Sequence, residues 1–439
     1  MVPPPENVSP RPEDVAARPE HVPARPAPGS APVRPAVLTV EESRLELPFA
    51  PGRPPVAQEF LALSGFDALV AEFTAAVAAA PTLGALADTV TRRGQGLWEA
   101  AIARAQGPAD GTPALDLVDD RPLYWARTAM SAHLRTLDPP LLEAGVQRQG
   151  LLRLLDRASR GIGTPRWPAG PATRVLVSGF DTFGLDDSLR HSNPSGCAAL
   201  QLHGRTFDTP GGPVAVRAVV LPVSWSAFDQ GVVEDAFGPA LVPGPDRADL
   251  ITTISQTARG RMDVEEWAAN ARGGAPDNER QQHFGAVSRP SHWPQPFDSP
   301  DWIRTTLPHA AMVAAGTGPW PVVLRDGVAE WPAGTFPDPT AVRSVPRPSP
   351  GSTAAAGTGG DYLSNESMYR SNRLRQGLHA WDVPGGHLHV SALAYPEAPD
   401  ALTDPSFEAD RRAIVEQTVA LVLAAGSAVA QRQAPAIER

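Results

Sequence analysis

Short runs rich in β-branched residues alternate with amphipathic stretches over the second half of this chain. That alternation constrains its fold more than any other feature. "TRVLVSGFD", "VAVRAVVLPV", "ADLITTISQ" and "GHLHVSAL" read as strands, each closing on Gly, Pro or a polar turn. Between them lie "PSGCAALQLHG", "WSAFDQGVVEDAF", "NESMYRSNRLRQGL" and "DRRAIVEQTVALVLAAGSAVAQR", which read as helices. The alternation predicts an α/β domain over 171–430, with a twisted, mostly parallel sheet covered by helices on both faces. Ligands in such sheets bind beyond the carboxyl ends of the strands, so chemistry is to be sought in the turns that follow them.

The chain upstream has a different period. "FDALVAEFTAAVAAA", "LGALADTVTRRGQGLWEAAIARA", "LYWARTAMSAHLRTL" and "LLEAGVQRQGLLRLLDRASRG" repeat apolar residues every three or four positions. They predict a helical domain over 51–165, ended by "GIGTPRWPAGPAT". No catalytic constellation is visible there. Residues 1–50 carry the imperfect repeat "RPEDVAARPEHVPARPAP", with many prolines and few apolar anchors. Such a segment cannot bury enough surface to offset its ordering entropy, and a disordered, solubilising tail is expected.

Composition removes several chemistries. The chain contains no lysine, so Schiff-base catalysis and a Walker-type phosphate site are excluded. Cys197 is the sole cysteine, so neither an intramolecular disulfide nor a Cys-based metal cage can form. A buried apolar role suits Cys197 better than a nucleophilic one. Net charge is −10 and no basic run is present, which argues against a nucleic-acid partner. The N-terminus lacks an export signal, and no apolar run approaches the ~20 residues that cross a bilayer. A cytoplasmic protein without a membrane partner is expected. Monomer and homo-oligomer are not distinguished, and nothing calls for a cofactor or metal.

Several residues at predicted strand ends carry reactive or recognition chemistry. "SGFDTFG" places Phe180 and Phe183 on a glycine-flanked loop, as pocket walls or as core. "SNPSG" follows with Asn193, and "ISQTARGRMDVEEWAAN" supplies Gln256 and Glu265. Ser364, in "GGDYLSNESMYRSN", opens a predicted helix either as its N-cap or as a nucleophile favoured by the helix terminus. In "HLHV", His387 and His389 share one side of a strand; a metal site there is weak, because no second ligand pair has matching spacing. Taken together, Glu265, Ser364 and His389 offer a carboxylate, a hydroxyl and an imidazole, the parts of nucleophilic acyl transfer.

With those residues in order, the segment from about Arg174 to Ala425 resembles the pyroglutamyl peptidase I family of cysteine peptidases. "GFDTFG" is similar to the family's G-F-E-P-F-G loop, "NPS" matches its N-P-S, and "LPVSW" resembles its L-P-V segment. "ISQTARGRMDVEEWAAN", "PDN", "TTLP", "GDYLSNESMYRS" and "HLHV" follow in the family's order. The resemblance implies an α/β fold and a catalytic triad of Glu265, Ser364 and His389, with Ser364 where the family has its cysteine. It further implies a lactam pocket walled by Phe180 and Phe183, with Gln256 and Asn193 as substrate-binding residues. It does not cover the helical region.

Two departures bear on function. The thiol has become a hydroxyl, and the family's oxyanion Arg is matched by Gly274, with Arg272 nearby. The stretch 313–360 is longer than the family's, as a lid or wall over the site or as a surface loop. Two readings therefore stand. One is a serine-dependent hydrolase that removes N-terminal pyroglutamate from small peptides. The other is a pseudoenzyme, a binding module for pyroglutamyl or peptide ends.

Overall fold

The computed structural model describes residues 37–108, 114–137, 145–163 and 167–433. Of the tail expected over 1–50, residues 1–36 lie outside the described residues. Residues 37–50 are structured, against the expectation from their composition. A capping box at Thr39 and Glu42 starts a helical turn at Val40–Ser43. Arg44, 2% exposed, then donates to Asp186 and to the Asn278 carbonyl. Long-range partners, which composition cannot reveal, hold this piece in place.

Five helices follow: α1 (Val56–Ser64), α2 (Phe66–Ala78), α3 (Leu83–Gln106), α4 (Arg121–Thr136) and α5 (Gly145–Ala158). Thr82 caps α3 by accepting from Ala85 N at 3.1 Å. Pro122 stands in the first turn of α4, where its missing N–H has no intrahelical role.

The central sheet has seven strands: β1 (Thr173–Phe180), β2 (Arg205–Phe207), β3 (Val214–Leu221), β4 (Leu250–Gln256), β5 (Met262–Glu265), β6 (Val322–Arg325) and β7 (Gly385–Val390). They lie in the order β6-β5-β7-β4-β1-β3-β2. Four of the six neighbouring pairs are parallel. The β7·β5 and β2·β3 pairs are antiparallel. The mostly parallel α/β fold read from the alternation is the fold of the protein.

Alternate side chains of each strand serve opposite faces. On the first face, Val175, Val177, Leu250 and Ile254 join helix α6 (Pro194–Leu202) and the last helix, Pro405–Gln433. Leu97, Trp98 and Leu123 of the helical region belong to the same core, so that region packs over this face. On the second face, Leu176, Val219 and Ile251 meet Trp225, Phe228 and helix α7 (Leu363–Gly377). Each fully buried Val, Leu or Ile contributes ~1.5–3 kcal/mol. Pro405–Gln433 is long and apolar enough to cross a membrane by length and composition, yet its Ile414, Leu421 and Val422 are buried in the first-face core.

The long stretch before Ser364 is neither a bare loop nor a simple lid. Its strand β6 pairs with β5 at the edge of the main sheet. Val328–Trp331, Arg343–Val345 and Thr353–Ala356 then form a small antiparallel sheet. The chain passes from there through "GTGGD" into α7.

Candidate functional site

Strand parity explains how the candidate residues converge. Leu388 and Val390 enter the first-face core, so His387 and His389 project to the face covered by α7. Val264 is likewise in that core, which turns Glu265, the last residue of β5, toward the imidazoles. His389 Nδ1 lies 2.6 Å from Glu265 Oε1. A carboxylate acceptor keeps the ring proton on Nδ1 and leaves Nε2 with its lone pair. No described residue hydrogen-bonds Nε2, and Glu265 Oε2 is buried without a partner. The residues are 4% and 2% exposed, so the bond is sheltered from water.

Gly359 closes over this pair. A Cβ built there would stand 2.9 Å from His389 Cε1 and 3.4 Å from the Glu265 carboxyl carbon. Only glycine lets the "GTGGD" segment approach so closely. The Gly359 carbonyl also accepts from Ser364 Oγ at 3.5 Å, the outer limit of a hydrogen bond. Ser364 is the second residue of α7, and the helix is capped by Tyr362 without any side-chain bond. The capping role for Ser364 is therefore absent. No hydrogen bond joins Ser364 to His389; Gly359 touches both. The first N–H groups of α7 are left without intrahelical partners, as at every helix start.

Ser364 opens onto a small cavity of about 70 Å³, walled by Phe180, Phe183, Val223, Tyr362 and Leu363. Asn193, Ser255, Gln256 and Ser364 supply its polar lining. Phe180 serves as both core and wall, for it also stacks on Phe228 with centroids 6.1 Å apart. Gln256, the last residue of β4, has a buried Oε1 with no hydrogen-bond partner. Asn193 lies at the cavity but spends its amide on the loop: Oδ1 accepts from Ser195 N at 3.1 Å and Nδ2 donates to Asp181 O at 2.9 Å. Gly196 permits this turn, since a Cβ there would lie 2.5 Å from the Phe180 carbonyl.

The helical region braces the cavity loop, a role its sequence did not reveal. Asp181, between the two wall phenylalanines, accepts from Arg127 and Arg160 at 2.7 and 2.5 Å. Asp120 accepts from Asn193 N at 2.9 Å and from Ser192. Burial, and then the nearby Asp119, push the Asp120 carboxyl up to about 6. From the other side, Asn278 of the "PDN" turn donates to the Thr182 carbonyl at 3.0 Å and to Glu41 at 2.9 Å. These partners lie 21 to 237 residues apart, so no local pattern pairs them.

Other sequence candidates have structural partners. Arg272 donates to Glu366 at 2.6 and 2.7 Å and to Asp229 at 2.6 Å, so its guanidinium is engaged by two carboxylates. His387 contacts Thr253 Oγ1 at 2.6 Å through Nδ1 and Ser255 Oγ at 2.8 Å through Nε2. Both nitrogens are thus occupied. Burial, reinforced by His389, drives its pKa well down and keeps the ring neutral. Cys197 is fully buried with Ala198 and Val415, and burial holds its thiol protonated.

The chain resembles known proteins at two levels. The crystal structure of pyroglutamyl peptidase I from Bacillus amyloliquefaciens aligns over 58% of this chain and 97% of that one, with a TM-score of 0.38 and 20% identity. An uncharacterised protein of Pseudomonas aeruginosa, PA0049, is 32% identical over 91% of each chain. Residues 24–156 match the PA0049 N-terminal domain. Residues 174–296 and 322–394 match the PA0049 C-terminal domain. The chain belongs to the PA0049 family.

Proposed function

We propose that the cavity beside Ser364 binds a pyroglutamyl or related lactam group, and that Ser364, His389 and Glu265 hydrolyse the amide bond attached to it. The 2.6 Å bond from His389 Nδ1 to Glu265 carries this reading, because it leaves Nε2 as a base beside the loop that holds Ser364. The lactam ring lies between Phe180 and Phe183, and the Gln256 side-chain amide N–H donates to the ring carbonyl.

The reaction begins with rotation of Ser364 Oγ from the Gly359 carbonyl toward Nε2. A serine hydroxyl is not ionised near neutrality, so its proton passes to Nε2 as oxygen attacks the substrate carbonyl. Glu265 stabilises the resulting imidazolium. The free N–H groups of the first α7 turn face developing negative charge favourably. Collapse breaks the C–N bond, and Nε2–H protonates the leaving amine. Water, deprotonated by Nε2, then cleaves the serine ester and releases pyroglutamate.

A second reading rests on two observations. Ser364 Oγ is directed to Gly359 O rather than to the imidazole, and Arg272 is tied to carboxylates. A site with those features holds a lactam without cleaving it. A fluorogenic pyroglutamyl coumarin amide separates the two. Turnover that disappears in Ser364→Ala while lactam binding persists supports the hydrolase. Binding without turnover, unchanged in Ser364→Ala, supports the binding module. Absence of both overturns the lactam site.

A further inference from the structure

The carboxyl ends of β4 and β7 carry a hydroxyl–imidazole–hydroxyl chain that the proposed reaction does not use. Thr253 stands opposite His387 in the strand register, and Ser255 opposite His389. All four side chains project to the α7 face. His387 is 1% exposed and bridges the two hydroxyls, while its ring meets the His389 ring edge-on at 4.6 Å. Ser255 ends the chain at the cavity wall, next to Gln256.

Proton bookkeeping gives the chain a direction. A neutral imidazole has one donor and one acceptor. The Thr253 hydroxyl reaches the Gly386 carbonyl at 3.5 Å, a weak bond that nonetheless offers its hydrogen an acceptor. Thr253 Oγ1 then accepts from Nδ1–H, and Nε2 is left to accept the Ser255 hydrogen. With that hydrogen committed inward, only lone pairs of Ser255 Oγ face the cavity. The base role does not suit His387. Protonating it would place a charge in a fully buried site with no carboxylate partner.

We propose that Ser255 is a specificity residue of this cavity: its oxygen, oriented by His387 and Thr253, accepts a hydrogen bond from the ring N–H of a cyclic-amide ligand. His387 and Thr253 are positioning residues and touch no ligand. The inference rests on the lactam reading of the cavity and adds what selects an amide ring over its ester counterpart. A lactone presents an oxygen where the lactam presents N–H, so two lone pairs oppose each other.

The test is calorimetric titration of the full chain with pyroglutamate and with its γ-lactone counterpart, in Ser364→Ala so that the lactone is not opened. The lactam is expected to bind about tenfold or more tightly than the lactone, the scale set by one buried hydrogen bond. Adding Ser255→Ala, or His387→Phe, brings the two affinities to within about twofold of each other. Ser255→Cys, which keeps the volume with a weak acceptor, gives the same collapse and guards against misfolding of the alanine variant. In ¹⁵N spectra His387 is expected as the neutral Nδ1–H tautomer, with its Nε2 resonance moving when pyroglutamate is added. A filler of the core would show no such shift. Lactam binding with undiminished discrimination in Ser255→Ala overturns the role of Ser255 and leaves the lactam site standing. Failure of pyroglutamate to bind the parent protein overturns both.

Discussion

Gly359→Ala tests the packing that holds the candidate pair together. The added methyl would stand 2.9 Å from His389 Cε1, 0.5 Å inside the 3.4 Å where ordinary contact begins, and 3.3 Å from Nδ1. The imidazole is only 4% exposed and bonded to Glu265, so it has little room to retreat. Overpacking of this kind costs about 1–3 kcal/mol. A displacement of this order in a catalytic group costs about tenfold to a hundredfold in rate. The assay pairs urea denaturation with turnover of a pyroglutamyl amide, using Gly96→Ala as a control. Gly96 lies inside helix α3 with nothing within 4 Å of a built Cβ. There the same change is expected to stabilise by about 1 kcal/mol, the difference in helix propensity. Should Gly359→Ala unfold at the parent's midpoint with unchanged turnover, the close approach of the loop to His389 is refuted.

Two further outcomes follow from the braces. Burial raises the Glu41 carboxyl from 4.5 to about 7, against hydrogen bonds from Tyr124 and Asn278 that lower it. A raised carboxyl stabilises the fold fully below pH 4.5, and that contribution is lost as pH rises through about 7. Glu41→Gln is therefore expected to match the parent at pH 4 and exceed it at pH 8 by on the order of 1–3 kcal/mol, at ~1.4 kcal/mol per unit and less for a partly exposed group. Equal denaturation midpoints at both pH values would sink this. Asp181→Asn strips the buried charge partner from Arg127 and Arg160, a change that typically costs about 3–5 kcal/mol. It should also weaken pyroglutamate binding, because Phe180 and Phe183 flank it; unchanged affinity would show that the brace does not shape the cavity.

Much of the architecture was legible because strands and helices impose local periods. The runs at 173–180, 214–221, 250–256 and 385–390 are the four read as strands, and alternation within 385–390 already sets His387 and His389 on the face opposite Leu388, whereas Glu265 ends a strand, 262–265, that the sequence did not single out. Motif order supplied Phe180, Phe183, Gln256 and Ser364, and all four line one cavity. The small sheet ahead of Ser364 was not legible, since its strands are only three or four residues long and are separated by proline-rich stretches. The structure of residues 37–50 was also hidden, because Arg44 and Glu41 are held by Asp186 and Asn278 far along the chain.

The amino-acid order by itself determined the layered sheet, the absence of lysine and disulfide chemistry, and the residue types at each strand end. These follow from short-range periodicity and composition. Tertiary structure alone decided that Ser364 is not a cap, that Arg272 is bound to Glu366 and Asp229, and that His387 links Thr253 to Ser255. Such pairings depend on which distant side chains meet when the core closes, and buried polar groups must then find whichever partners that closure brings within reach.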